Sequence, residues 1–594
     1  MLWTPAYHRS HVPPVSEPSV SPFAESNYDY DTASQYAGVA EQPPEGEYRV
    51  RYRRLPRWRP VRTTALTLLM PALAVGFLVW LLLPSHWPNN LHSPLLTVVS
   101  YSMVVSIAML EIIRLLNIVT LCLATVLARD PIPVVPEGGT RVAFVTTIVP
   151  NKEPLTMVER TLRAAVQLEH DGVLDVWLLD EGCEPSVRSL CTDLGVHHFS
   201  RKDVPEWNLE SGPHRAKTKH GNLNAWLDAH GAEYDYVVGV DPDHVPMPIM
   251  CERLLGYFRD PDVAFVVGPQ VYGNYNNFVT KSAESQQYLF HSLLQRAANY
   301  TRSPMLVGTN YAVRTTALRE VGGFQDSITE DMATSLAIHS AENPRTGMRW
   351  RSVYTPDVLA VGEGPASWTD YFVQQSRWSR GTDDAFLHRF WSAARRLSFR
   401  EFRHYFLLLS FYPLTAFAWM LGIFNLAIYF LTGAGGVVVP ASLWLMFYFD
   451  VAVCQVGVYM WNRRHNVSPH ELEGSSGVSG MLLSVLASPI YCSSLIATLR
   501  GKQQGFTVTP KGDTATRDSL GTFQHHLRWA GVLLALLGAS VWRGHDHVSM
   551  RFWALSSLAF CLVPVAIWRI AESRRTVEHE HEVVFEPEAS LEVV

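Results

Sequence analysis

The sequence predicts a polar α/β domain set between two groups of apolar helices, which together form an all-α bundle of about six membrane spans with interfacial helices. Three observations lead there. Apolar residues make up 47% of the 594 residues and are gathered into long runs; the stretch 139–400 is polar and alternates short strands with helical segments; basic residues flank the runs. At roughly 150 residues per domain the length allows several units. A net charge of −6, from 49 basic and 55 acidic residues, supplies no dominant basic field, so no nucleic-acid partner is expected. The seven cysteines are scattered, odd in number and without a C-x-x-C pair, which fits reduced packing thiols better than a disulfide scaffold or a zinc ribbon.

Residues 1–62 read as a disordered tail rich in Pro, Ser, Tyr and Glu, ending in a basic juxtamembrane block of Arg49, Arg51, Arg53, Arg54, Arg57, Arg59 and Arg62. Under the positive-inside rule this block keeps the N-terminus cytoplasmic. A cleavable signal is not expected, because the first long apolar run begins only after it. Within 63–128 two transmembrane helices are predicted. The run 64–83 carries no charge and gives about 30 Å of helix, the thickness of the hydrocarbon core. The run 95–128 reaches roughly 51 Å if helical and holds Glu111 and Arg114 at i,i+3 spacing. It is expected to be one tilted span, since two would place the polar domain outside.

In the C-terminal region, 401–570, the runs 405–431, 437–460, 527–542 and 552–570 bring the spans to two plus four. The segment 481–497, short and containing Pro489 with several serines, is expected to lie at the interface or re-enter. Asp450, an acid inside the run 437–460, is expected to face a cavity. Residues 571–594 form a Glu-rich, solvated tail.

The polar domain carries acids where an α/β sheet presents its ligand crevice, at the carboxyl ends of strands. Asp180 ends LDVWLLD, and Asp241 and Asp243 follow YDYVVGV. Asp241-Pro-Asp243-His244 puts two carboxylates and an imidazole on a short turn, hard ligands suited to Mg or Mn. Lys217 and Lys219 stand beside Gly221 and Asn222 at a helix start that could hold a diphosphate. Glu330 and Asp331 open a further helix. Each feature alone has an ordinary structural reading as a turn residue or helix cap.

Taken in order, the LLDEG strand end, the HGNLN segment, the DPDH turn, the TED triplet at Thr329 to Asp331 and QQSRW at Gln374 to Trp378 resemble processive family-2 glycosyltransferases of the cellulose, hyaluronan and chitin synthase group. Phe506-Thr507-Val508-Thr509-Pro510-Lys511 looks like the gating loop of cellulose synthases and favours that branch. The resemblance implies a GT-A-like cytoplasmic catalytic domain at 139–400, ending in the QQSRW interfacial helix, and a gating loop near 506–512. It implies that Asp180 contacts the uracil and Lys219 the diphosphate. Asp241, Asp243 and His244 would hold a Mg or Mn ion, with Asp241 also on the nucleotide. Asp331 would be the general base beside Glu330. Gln374, Arg377 and Trp378 would meet diphosphate and acceptor sugar, and Phe506, Thr509 and Lys511 the nucleotide.

Two departures stand out. Glu181 replaces a second aspartate, and Val149 to Glu153 replaces the Thr-Tyr-Asn-Glu uridine loop. The expected function is inverting, processive transfer from UDP-glucose or UDP-N-acetylglucosamine to a growing β-linked glycan, β-1,4 first among linkages, with export across the plasma membrane. Asp450 would then line the polysaccharide channel. The expected partners are the UDP-sugar, the growing polysaccharide, the lipid bilayer and accessory glycan-export or processing proteins. The rivals are a nonprocessive transferase acting on a lipid carrier and an inactive export or scaffold subunit.

Overall fold

The computed structural model describes residues 36–55, 60–88, 93–471, 475–501 and 516–584. A seven-stranded sheet forms the centre of the polar domain: β1 (Thr140–Ile148), β2 (Gly172–Asp180), β3 (His197–Phe199), β4 (Tyr236–Gly239), β5 (Val263–Val267), β6 (Tyr311–Arg314) and β7 (Arg351–Tyr354), in the spatial order β7-β5-β6-β4-β1-β2-β3. Only β6 runs antiparallel to its neighbours in this sheet. Pairing of β1 with β2 runs from Thr140↔Gly172 to Ile148↔Asp180, so both strands end level on the side where the acids gather. Val142 and Phe144 pack into one core and Ala143 and Val145 into another. Burial on both faces explains why a central parallel strand reads as an unbroken apolar run.

The helices that build the site and the bundle are α1 (Pro60–Leu81), α2 (Pro94–Leu127), α3 (Lys219–His230), α4 (Phe278–Leu289), α5 (Glu330–His339), α6 (Trp368–Asp384), α7 (Phe411–Thr432), α8 (Ala441–Asn462), α9 (Val478–Leu486), α10 (Ser488–Leu499), α11 (Gln524–Arg543) and α12 (Val548–Val584). Among the described residues five helices are long and apolar enough to cross a bilayer: Thr63–Leu81, Pro94–Leu127, Phe411–Thr432, Ala441–His465 and Val548–Arg574. The second is one unbroken helix of 34 residues, as its sequence predicts. The segment 481–497 is the bent pair α9 and α10, which meet at 42°. Pro489 falls in the first turn of α10, where a missing N–H starts a helix rather than continuing one.

Two expectations are corrected here. Helix α11 forms but is not among the five, because Gln524, His525, His526 and Arg528 occupy its opening turns and shorten the apolar stretch. Against the six spans expected, the described residues offer five candidates by length and composition, or six if the bent pair is one. The run 405–431 is also two helices, Phe399–Leu409 and then α7, divided at Ser410.

Part of the segment expected to be a disordered tail is ordered. From Ala37 the chain is a strap across the α/β domain: Ala37 N–H donates to Asp357 at 2.7 Å, Arg49 pairs with Asp260 at 2.9 Å and with Asp262, and Arg53 pairs with Glu41 at 2.9 Å. Tyr52–Arg54 pairs antiparallel with Arg129–Pro131, the residues that follow α2. Part of the basic block thus meets protein carboxylates. Residues 1–35 and 56–59, including Arg57 and Arg59, lie outside the described residues.

Helices α9 and α10 tie bundle to domain. A Cβ on Gly480 would sit 2.6 Å from the backbone N of Gln286, so α9 rests backbone to backbone on α4. Tyr491 of α10 donates to Gln375 of α6 at 3.0 Å. All seven cysteines are free thiols.

Candidate active site

The turn after β4 carries Asp241, Asp243 and His244, whose ligand atoms all lie within 4.8 Å of one another. Asp243 accepts the Glu363 N–H at 2.9 Å. His244 is fully buried and neither ring nitrogen has a hydrogen-bond partner among the described residues; the nearest carboxylate, Asp243, is 3.5 Å away. Buried imidazole nitrogens are rarely left unsatisfied. Two carboxylates beside an unpartnered imidazole suit a hard divalent cation with positions left for phosphate oxygens, so these residues fit the expected ion.

Facing them, Lys219 opens α3. Its ammonium donates to the Gly308 carbonyl at 2.6 Å and pairs with Asp241. Burial works against its charge, but the carboxylates of Asp241 and Glu330 outweigh it and hold the ammonium well above its ordinary value. Thr218 caps the helix by accepting the Gly221 N–H at 3.2 Å. Behind it Arg201, fully buried, grips Glu181 at 2.5 Å and donates to the carbonyls of Trp207, Arg215 and Thr218 at 2.8, 3.0 and 3.1 Å. Gly221 makes room for this: a Cβ there would meet the Arg215 carbonyl at 2.2 Å and the Arg201 guanidinium at 2.5 Å.

Glu330 and Asp331 stand at the start of α5. Asp331 accepts the Met332 N–H at 2.7 Å. Burial, then the charge of Glu330, pushes Asp331 up to about 7, with Lys219 and Arg377 pulling the other way; burial likewise raises Glu330. A carboxyl near neutrality is matched to taking a proton from a hydroxyl.

Helix α6 divides its residues by face, following the i, i+3, i+4 rule. Gln374, Arg377 and Trp378 line the site, while Gln375 bonds Tyr491 and Ser376 bonds Ser494 at 3.2 Å. Gln374 also donates to the Tyr272 hydroxyl at 3.3 Å. Its N-terminus is held by Asp518, which accepts the Trp368 and Thr369 N–H groups at 3.1 and 2.8 Å.

These groups share one cavity of about 1150 Å³. Lys219, Asp241, Asp243, Glu330, Asp331, Gln374, Arg377 and Trp378 all line it, and it continues among the bundle helices past Tyr412, Asn117 and Gln455. Two expectations come out differently, those for Asp180 and Asp450. Asp180 is fully buried and not in the lining; its oxygens accept the N–H groups of Gly182 at 2.7 Å and Glu184 at 2.9 Å, with His198 at 3.1 Å, so it shapes a loop whose Glu181, Gly182 and Glu184 reach the cavity. His244 is not among the lining residues but stays grouped with Asp241 and Asp243, as expected of a ligand set. Asp450 is exposed and absent from the lining; Gln455 and Tyr459 present the opposite face of α8 to the cavity. Phe506, Thr509 and Lys511 lie outside the described residues.

Sequence reasoning gave no site role to Glu153 and Asn151, while Lys217, expected near the diphosphate, does line the cavity. Glu153 falls in the departing loop, and burial pushes it up to about 7. Asn151 and Lys217 line the cavity with left-handed backbones, φ 66° and 57°. Such backbone strain clusters at ligand sites.

Residues 147–322 match the family described as Glycosyl transferase family 2, and residues 236–462 match Glycosyl transferase family group 2. The cellulose synthase catalytic subunit [UDP-forming] of Xanthomonas axonopodis pv. citri is 28% identical over 264 residues, 43% of this chain and 33% of that protein. Cellulose synthase 2 of Novacetimonas hansenii is 25% identical over 559 residues, 87% of this chain and 31% of its own length. The chain thus spans about a third of these curated relatives.

Among solved structures, the mannosyltransferase PcManGT from Pyrobaculum calidifontis in complex with GDP-Man and Mn2+ is 15% identical, with a TM-score of 0.41 over 74% of this chain and 100% of that one. Glucosyl-3-phosphoglycerate synthase from Mycobacterium tuberculosis, with Mn2+, UDP and glucosyl-3-phosphoglycerate, is 17% identical at 0.29 over 41% and 78%. The strands and acids of the α/β domain thus fall within a stretch similar to family-2 glycosyltransferases. The curated relatives it is similar to are cellulose synthases.

Proposed function

We propose that the chain is an inverting, processive glycosyltransferase of the plasma membrane with a cytoplasmic catalytic domain. It polymerises a β-linked glycan, β-1,4 first among linkages, from UDP-glucose or UDP-N-acetylglucosamine and moves the product outward. The observation that carries this reading is the continuity of one cavity from Asp331, Lys219 and Asp241 to Asn117 and Gln455 in the bundle.

Lys219 and Arg377 receive the donor diphosphate, Lys219 sharing its charge between phosphate and Asp241. Asp241, Asp243 and His244 would hold a Mg or Mn ion, which supplies positive charge to the departing diphosphate. Asp331 accepts the proton of the acceptor hydroxyl as its oxygen attacks the anomeric carbon and the bond to the diphosphate breaks on the other face. One displacement converts an α-linked donor to a β-linked product, so no nucleophilic carboxylate is required. Trp378 offers a ring face to the acceptor sugar.

Purified full chain in detergent is incubated with each UDP-sugar, and the product is digested with linkage-specific β-hydrolases. Release of UDP together with a long, hydrolase-sensitive polymer is expected. A protein that binds UDP yet makes no polymer from either donor contradicts the reading.

A further inference from the structure

Helix α8 has two unlike faces. Val451, Tyr459 and Asn462 turn inward and are buried, and Val451 packs with Met70 and Phe77 of α1. On the outward face Leu443, Met446, Asp450, Val453, Gly457 and Met460 are all exposed. Their steps alternate between three and four residues, so they form one continuous stripe, with the spacing by which two helices pack at a shallow crossing angle. Of the five helices fit to cross a bilayer, α8 is also the least buried.

Two residues of the stripe answer to nothing else in the described chain. Asp450 lies about 5 Å along the axis from the midpoint of Ala441–His465. Its carboxylate has no hydrogen-bond or ion-pair partner among the described residues. An acid at that depth is costly unless paired, and its single methylene is too short to carry it to the bilayer surface. Gly457 stands two turns further on. A Cβ there would meet nothing within 4 Å, so no described neighbour requires a glycine. A glycine on an outward face lets the backbone of another helix come close.

The complement of Asp450 is a cation at the same depth. Within the five span helices only Arg114 lies away from the helix ends, and it is already engaged by Glu111 at 3.2 Å and the Tyr448 carbonyl at 2.9 Å. A second copy pairing two-fold through this stripe would bring Asp450 against Asp450, like charges in hydrocarbon. We infer that the outward face of α8 docks a transmembrane helix of another protein, which presents a lysine or arginine to Asp450 and packs closely over Gly457. The inference requires that α8 crosses a bilayer and does not require that the chain transfers sugars.

For the test, labelled full chain is reconstituted in phosphatidylcholine vesicles with a synthetic helix of about 20 leucine and alanine residues carrying one central lysine. The same peptide with leucine for lysine is the control, and association is read by energy transfer. The lysine peptide is expected to associate at least about threefold more tightly than the control. Asp450→Leu is expected to abolish that preference, and Gly457→Leu, whose new side chain has open space within its own chain, to weaken association with either peptide. Melting temperatures check that each variant is folded. Equal association of the two peptides with wild-type chain, or a lysine preference that survives in Asp450→Leu, marks the face as lipid-exposed only and overturns the inference. Energy transfer between two labelled copies that is lost in Gly457→Leu assigns the face to self-association and also overturns it. A wild-type chain that shows the lysine preference yet releases no UDP from either UDP-sugar keeps the docking face and loses the glycosyl-transfer reading.

Discussion

Gly381 and Thr329 touch so closely that a Cβ on the glycine would lie 2.2 Å from Thr329 Cγ2. Helix α6, with Arg377 and Trp378, is thereby set directly against the segment that carries Glu330 and Asp331. One approach of the α6 backbone to the Thr329 side chain, with no room for a Cβ, thus sets Arg377 and Trp378 against Glu330 and Asp331.

Gly381→Ala must therefore push α6 off the Thr329 segment. Overpacking of this kind costs about 1–3 kcal/mol. We expect a lowered melting temperature and UDP release reduced at least tenfold, with UDP binding less affected. Wild-type turnover in Gly381→Ala would show that the contact does not position the site.

Acidity gives a second prediction. Asp331, pushed up to about 7 by burial and by Glu330, acts as base only when ionised. UDP release should rise about tenfold per unit at low pH and level off above about pH 8. Because the folded value lies above the ordinary 3.8, ionisation opposes folding, so the melting temperature should fall as pH rises from the acid side through 7. A flat rate profile across that range would contradict the assignment.

The cation site can be read without turnover. Mn2+ binding followed by electron paramagnetic resonance should weaken at least tenfold in Asp243→Asn and measurably in His244→Ala, whose ring nitrogens lack other partners among the described residues. Unchanged affinity in both variants would remove the site.

Arg201 organises the loop that carries Arg215, Lys217 and the start of α3. Arg201→Ala breaks its pair with Glu181 and frees three carbonyls, a change of about 3 kcal/mol or more. The Michaelis constant for the UDP-sugar should rise more than kcat falls. Arg201→Lys should restore only part, since an ammonium cannot reproduce the planar fork. Equal losses in both constants would mark a general folding defect instead.

Much of this site is readable from local pattern. The strand LDVWLLD shows as an apolar run, the DPDH turn and QQSRW through the family resemblance, and the split of Gln374, Arg377 and Trp378 from Gln375 follows the helical period. What escapes is long-range. An aspartate at a strand end looks the same whether it faces ligand or, like Asp180, accepts the N–H groups of its own loop. The arginine block suggests lipid phosphates, while the acids that Arg49 meets, Asp260 and Asp262, lie more than 200 positions on. Asp450 shows the limit of composition: an acid in an apolar run announces itself, yet its helix turns it away from the cavity. Gly381 carries no local signal at all, because its reason is Thr329.

The most direct test is a comparison of wild-type chain and Asp331→Asn, purified in detergent, each given UDP-glucose and UDP-N-acetylglucosamine. Loss of UDP release by about 100-fold or more, with UDP binding retained, is the predicted result. Turnover by Asp331→Asn within a few-fold of wild type would contradict it.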